Sequence, residues 1–289
     1  MPELPEVEVV KRSLKSKIQN LVVKKVAIKE NKLRYRIKLG EISKITGARI
    51  KSLRRRSKFL LFFFDKPFIM LVHLGMTGKF FFINNKNKKY KTGFYYRLNE
   101  KKDKKYDRVI FYLEKKQKLV YNDIRKFGFI KLLSADKYLN NFHLKNLGPE
   151  PLTKNYNFTQ FKKYINNSSR AIKNILMDQK FVSGIGNIYA NEVLFISKVK
   201  PFKKGKNIKD FEINKIISST KKILNNAIMN GGSSIRDFSS TDGKKGGFQE
   251  KLNVYGRKGK HCSNADCMQK IIKKNLSNRS TFYCPKCQQ

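Results

Sequence analysis

Residues 262–287 read Cys262-Ser-Asn-Ala-Asp-Cys267-Met-Gln-Lys-Ile-Ile-Lys-Lys-Asn-Leu-Ser-Asn-Arg279-Ser-Thr-Phe-Tyr-Cys284-Pro-Lys-Cys287. Two close cysteine pairs separated by sixteen residues have the spacing of a tetrahedral, all-thiolate zinc site. Each pair can grip one side of a cation while the intervening chain folds back as a β-hairpin. Ile271 and Ile272 suit the outgoing strand, Asn275 to Asn278 the turn, and Thr281 to Tyr283 the return strand. Arg279 then lies at or near the tip. Taken alone, this segment is equally well a structural staple whose arginine merely touches a phosphate. Disulfides are the weaker alternative: no secretory signal is visible and Met1 to Glu8 is polar, which points to the cytoplasm.

Working outward from the cysteines, a Gly/Ser/Asp/Lys-rich stretch between Gly231 and Gly247 reads as a linker or a functional lid. Before it, Phe158 to Ile165, Arg170 to Met177, Ile188 to Ile196 and Asp210 to Asn230 have helical patterning, and Ser183-Gly-Ile-Gly-Asn187 separates the second from the third. A two-glycine turn between helices can offer backbone amides to a phosphate, although a plain helical hairpin has the same pattern. Earlier still, Leu21–Ile28, Ile45–Leu53, Phe59–Phe64, Phe68–Leu74, Lys79–Ile83, Phe94–Leu98, Arg108–Leu113, Lys118–Asn122 and Phe129–Leu133 are apolar or β-branched runs broken by turn residues. That rhythm predicts an all-β sandwich. One helix precedes it, with Val7, Val10, Leu14 and Ile18 on one face, Pro5 at the start, and Glu6 and Glu8 in the first turn.

The 289 residues suffice for about two domains. The longest apolar stretches, Phe59–Phe64 and Phe68–Val72, fall far short of a bilayer span, so no membrane partner is expected. A net charge of +44 points to a polyanion, most simply nucleic acid, because clustered cations release counterions from phosphates. Lysine outnumbers arginine more than threefold, so part of that charge reflects composition, and charge alone does not choose among DNA, RNA and an acidic membrane.

The opening Pro2-Glu-Leu-Pro-Glu-Val-Glu8 closely resembles the start of bacterial formamidopyrimidine-DNA glycosylases, base-excision enzymes that remove oxidised purines. Also similar to that family are His73-Leu-Gly-Met-Thr-Gly78, Asn122-Asp-Ile-Arg-Lys-Phe-Gly128, Leu147-Gly-Pro-Glu-Pro-Leu152, Gly184-Ile-Gly-Asn-Ile-Tyr-Ala190, Val254-Tyr-Gly-Arg257 and the cysteine hairpin, all in family order. The related endonuclease VIII branch shares the terminal proline and glutamate, but Leu4-Pro5-Glu6-Val7 favours the formamidopyrimidine branch. The resemblance implies a multidomain α+β fold: an N-terminal β-sandwich with flanking helices, then a helix-two-turn-helix domain ending in a β-hairpin zinc finger. The boundaries expected are 1–135 for the catalytic sandwich, 136–152 for a linker, 153–250 for the helical domain with a lesion-capping loop, and 251–289 for the finger.

Site residues follow from the same resemblance. Pro2, once Met1 is removed, presents a secondary amine able to attack the sugar C1′; Glu3 handles the proton transfer, Lys58 serves β-elimination, and Arg279 serves phosphate binding and δ-elimination. An N-terminal amine titrates near 8, within reach of deprotonation at neutral pH. Met76, Arg125 and Phe127 match the family's three fillers of the hole left by an extruded base. Tyr106, Arg170, Lys173, Asn187, Tyr255 and Arg257 are expected on the DNA-binding surface. Cys262, Cys267, Cys284 and Cys287 would hold one structural zinc ion. The implied partner is double-stranded DNA carrying oxidised bases or abasic sites, bound by a monomer at the bacterial nucleoid. Ile124 replaces a usual proline, Tyr106 a common histidine, and Asn84 to Lys105 matches the family poorly. Readings left open are a glycosylase for oxidised pyrimidines and a non-catalytic zinc-containing DNA-binding protein.

Overall fold

The computed structural model describes residues 1–86, 88–91, 104–233 and 247–289. The chain divides into two compact units, one of Met1–Lys145 with Gly231–Gly247, the other of Asn146–Asn230 with Phe248–Gln289. The expected helical domain, 153–250, includes this second stretch of the first unit. By contact Gly231–Gly247 groups with the first unit, and at its start the buried Glu6 carboxylate accepts the Ser233 amide. The expected strand Phe94–Leu98 and all but the ends of the expected loop Ser233–Gly247 lie outside the described residues.

In the first unit, helix α1 (Leu4–Ile18) leads, among the described residues, into nine strands: β1 (Val23–Ile28), β2 (Ile50–Arg56), β3 (Phe59–Phe64), β4 (Phe68–His73), β5 (Lys79–Ile83), β6 (Lys89–Lys91), β7 (Asp107–Leu113), β8 (Lys118–Asn122) and β9 (Phe129–Ser134). A short helix α2 (Leu39–Ile42) follows β1. The strands form a five-stranded sheet in the order β1-β7-β8-β5-β6 and a four-stranded sheet in the order β2-β3-β4-β9, with antiparallel pairing throughout. Their inner faces share one core, in which Phe62 of β3 meets Phe80 of β5 at a ring separation of 5.7 Å. Val7, Val10, Leu14 and Ile18 of α1 enter the same core, as their helical spacing predicts. Burying each such side chain is worth roughly 1.5–3 kcal/mol. Strand β6 escapes the sequence reading because Lys89-Tyr-Lys91 lacks an apolar alternation; lysine suits its place at a sheet edge.

The second unit holds α3 (Phe158–Ile165), α4 (Ile172–Met177), α5 (Asn187–Ile196), α6 (Asp210–Met229) and a hairpin of β10 (Ile272–Leu276) and β11 (Arg279–Tyr283). Helix α6 starts where Glu212 accepts the Lys209 amide at 2.8 Å, and α3 where Asn157 Oδ1 accepts the Gln160 amide at 3.0 Å. The hairpin turn is tighter than expected. Asn275 and Leu276 are strand, paired with Ser280 and Arg279, and only Ser277 and Asn278 turn, both with positive φ (46° and 58°). A two-residue turn with left-handed backbone matches strand twist, and Asn278 suits it. Among the described residues no helix is long and apolar enough to cross a membrane.

Candidate active site and metal centre

Pro2 and Glu3 precede the first turn of α1, and both are buried. Glu3 donates its amide to Glu6 Oε2 at 2.8 Å and accepts the Val7 amide at its carbonyl. Burial pushes the N-terminal amine, here that of Met1, below its ordinary value; Glu3 and Glu6 oppose the shift, and Lys58 and Arg125 reinforce it. The charges of all four are therefore felt at the chain start. Lys58, only 7% exposed, is fixed by the tight turn between β2 and β3. Glu8 secures that turn from α1: its Oε2 accepts Arg55 Nε at 3.0 Å, and Arg55 Nη1 donates to the Ser57 carbonyl at 2.9 Å. Burial pushes Glu8 up, but its bonds to Lys11 and Arg12 and the charge of Arg55 outweigh that, leaving it below the usual carboxylate range.

Met76, Arg125 and Phe127 stand on two interlocked loops. Thr77 Oγ1 donates to buried Asp123 and accepts the Arg125 amide at 3.0 Å, while Asp123 Oδ2 accepts the Gly128 amide at 2.9 Å. A Cβ on Gly75, whose φ is +62°, would lie 2.4 Å from the Gly128 nitrogen, so the loops approach more closely than any side chain permits. Arg125 and exposed Phe127 are stacked, guanidinium carbon to ring centroid 4.6 Å, and Met76 is half-buried. Ile124 is 40% exposed and takes no part in the lock. Tyr106 lies half-buried beneath Lys105 and Arg108.

His73, to which the sequence reading assigns no individual role, supports the same loops. Gly75 donates its amide to His73 Nδ1 at 3.1 Å, and the ring stacks on Phe129. Burial, with the Lys58 and Arg34 charges, pushes its pKa down to about 4. An imidazole accepting at Nδ1 carries its proton on Nε2. A lone histidine in a strand offers no sequence signal for this; it depends on Phe59 and Phe129 on neighbouring strands.

In the second unit, Asn187 opens α5 and donates Nδ2 to the Ser280 carbonyl at 3.1 Å, beside Arg279, whose side chain is exposed. Asn187 Oδ1 is buried with no protein partner among the described residues. Lys173 corrects the expectation of a surface contact: it is 0% exposed, and its ammonium donates to Thr281 Oγ1 at 2.7 Å and the Ser280 carbonyl at 3.0 Å. Three flanking apolar residues, Ile172, Ile175 and Leu176, carry the helix inward and Lys173 with it. Arg170 is exposed but paired with Asp178 at 2.8 Å. Tyr255 packs edge-on to Phe282, and Arg257 is half-buried, its Nη1 and Nη2 reaching the Leu252 and His261 carbonyls at 3.4 Å. Glu192, which the sequence reading did not single out, accepts the amides of Asn253, Val254 and Tyr255 at 2.8–2.9 Å and so sets that segment on α5.

The four cysteine sulfurs all lie within 4.8 Å of one another. Cys262 and Cys287 are 3.8 Å apart and Cys267 and Cys284 3.6 Å, far beyond a disulfide bond. A tetrahedron with metal–sulfur bonds of about 2.3 Å has edges of about 3.8 Å, so the residues fit a tetrahedral thiolate-bound cation.

A β-sandwich that buries a proline and a glutamate at its chain start, and a helix-turn-helix unit with a four-cysteine hairpin, define a helix-two-turn-helix DNA glycosylase. The comparisons with known proteins agree. The family model of the formamidopyrimidine-DNA glycosylase N-terminal domain matches residues 1–130, and that of the formamidopyrimidine-DNA glycosylase H2TH domain matches residues 147–239. The chain is 40% identical over 289 residues to the formamidopyrimidine-DNA glycosylase of Rickettsia bellii, covering 100% of both chains, and 39% identical over 288 residues to that of Rickettsia felis, covering 100% of this chain and 98% of the relative. The Lactococcus lactis Fpg bound to DNA with an abasic site superposes with a TM-score of 0.83 at 32% identity, over 99% of each chain. Its wild-type form bound to DNA containing an oxidised pyrimidine gives 0.84 at 32% identity, over 100% of each. The chain belongs to the formamidopyrimidine-DNA glycosylase family.

Proposed function

We propose that this chain is a bifunctional DNA glycosylase and abasic-site lyase of base excision repair, with Pro2 as nucleophile after removal of Met1. Its substrates are duplexes carrying oxidised purines such as 8-oxoguanine and formamidopyrimidines. The Pro2 nitrogen forms a bond to C1′ as the bond from C1′ to the base breaks and then loses its proton; the C1′–O4′ bond next opens, its electron pair leaving on O4′, which Glu3 protonates. The resulting iminium ion draws electrons from the sugar, so that loss of a C2′ proton expels the 3′ phosphate and a second elimination expels the 5′ phosphate. Lys58 assists the first elimination and Arg279 the second. Met76, Arg125 and Phe127 fill the space left by the base.

The observation that supports this reading is the burial of Pro2, Glu3 and Lys58 in the first unit, the first two directly before α1. A protein that only bound DNA would have no need to bury a glutamate and a lysine together with its second residue. The four cysteines hold one structural zinc ion, whose chemistry is to fix the hairpin rather than to activate water. Asn187 and the exposed Arg279 belong to the phosphate-binding surface. The protein acts as a monomer on DNA in the bacterial cytoplasm.

One observation favours a broader substrate range: the related Lactococcus lactis enzyme has been captured on an oxidised pyrimidine. The test is borohydride trapping on duplexes carrying 8-oxoguanine opposite cytosine or an oxidised pyrimidine. An adduct formed faster on 8-oxoguanine supports the purine reading, trapping confined to pyrimidine lesions favours the alternative, and no adduct on either from protein lacking Met1 removes the enzyme reading.

A further inference from the structure

Glu6 looks in the sequence like an ordinary first-turn acid of a helix. In the structure it is 2% exposed and its two oxygens face different parts of the first unit. Oε2 accepts the Glu3 amide at 2.8 Å; Oε1 accepts both the amide and the hydroxyl of Ser233, at 2.8 and 3.0 Å. Ser233 is itself 3% exposed. Gly232, at φ +82°, lets the chain press against the carboxylate: a Cβ there would lie 3.0 Å from Glu6 Oε1 and 3.2 Å from its Cγ. Gly231 also has positive φ (78°). Two left-handed residues in succession, ending on a buried serine, aim one turn of backbone at one carboxylate oxygen.

We propose that Glu6 is a positioning residue that couples the chain start to the segment Gly231–Ser233, so that the stance of Glu3 and the anchoring of that segment depend on one another. The inference rests on the reading of Pro2 and Glu3 as reacting groups. Donors on a buried carboxylate are charge-assisted, and losing one leaves polar groups unpaired in a dry site. A carboxylate can accept on both oxygens, whereas a glutamine at the same place would turn an NH2 group toward one of these amides. Base removal, in which Glu3 handles the proton as the base departs, therefore depends on the latch. Strand cleavage at an abasic site has no base to expel and depends on it less.

The experiment compares single-turnover base excision on an 8-oxoguanine duplex with cleavage of a duplex carrying a preformed abasic site, for the full chain and for Gly232→Ala, Ser233→Ala, Glu6→Gln and the Glu6→Gln/Gly232→Ala double variant. Gly232→Ala is expected to slow base excision about tenfold and to leave abasic-site cleavage within about twofold. Ser233→Ala, which introduces no backbone strain, shifts base excision in the same direction. Glu6→Gln slows both reactions, and the double variant is no slower in base excision than Glu6→Gln alone, because the two changes break one connection. Base excision at the wild-type rate in both Gly232→Ala and Ser233→Ala, equal loss of both reactions in Gly232→Ala, or multiplying losses in the double variant would overturn the coupling. A wild-type protein inactive on both duplexes would overturn the catalytic reading instead.

Discussion

Lys173 Nζ lies 2.7 Å from Thr281 Oγ1, a buried ammonium from α4 holding the return strand of the cysteine hairpin. Asn187 reaches the adjacent Ser280 carbonyl, and Asn191 Oδ1 accepts the Phe282 amide at 2.7 Å. Asn174 Nδ2 meets Ser277 Oγ in the turn at 2.8 Å. The residues on both sides of Arg279 are thus tied to α4 and α5. Lys173→Met, which keeps length but removes the donors, should destabilise the protein by about 1–3 kcal/mol and weaken binding to abasic-site DNA. Denaturant unfolding and a binding titration at fixed salt check both effects.

Metal removal should act on the cysteine-bearing base of the hairpin more than on its clamped tip. Chelation frees the four thiolates, while Lys173, Asn187 and Asn191 still grip β11. The expected outcome is loss of one zinc ion per chain, weaker DNA binding, and helical circular dichroism that persists. Collapse of the helical signal in step with zinc loss would show that the metal, not the side-chain clamp, seats the strand.

The loop lock predicts a separation of base excision from folding. Thr77→Val keeps shape but leaves Asp123 and the Arg125 amide each short of a partner. Base excision should fall about tenfold or more, since roughly 1–3 kcal/mol is lost where Arg125 and Phe127 are positioned. Single-turnover rates measured alongside thermal unfolding check this.

His73 makes stability depend on pH. Its folded pKa of about 4 lies below the ordinary 6.5, so the unfolded chain binds the proton more readily. The contribution is fully present above pH 6.5 and is lost as pH falls toward 4, up to about 3 kcal/mol. Unfolding free energies at pH 7 and pH 4 should differ more for the wild type than for His73→Gln.

Strands such as Phe59–Phe64 and Lys79–Ile83 are legible to the residue, because an apolar run between turn residues has few other places to go. The cysteine cluster is legible from spacing alone. Lys173 and Glu6 are not, since each takes its role from a partner distant in the chain: Thr281 lies 108 positions from Lys173, and Ser233 lies 227 from Glu6. A lysine in a lysine-rich chain reads as a phosphate contact until its burial is known. Likewise a glutamate in a first turn reads as a dipole partner, and nothing local marks it as a latch.

Attack of the Pro2 amine on the sugar is the step on which the proposed reaction depends. The direct measurement is to trap the full protein on an abasic-site duplex with borohydride, digest the adduct, and locate the modified peptide by mass spectrometry. The expected result is a peptide beginning at Pro2 and carrying the sugar remnant on its N-terminal nitrogen. A remnant on Lys58 or another lysine, with the Pro2 amine free, would contradict it.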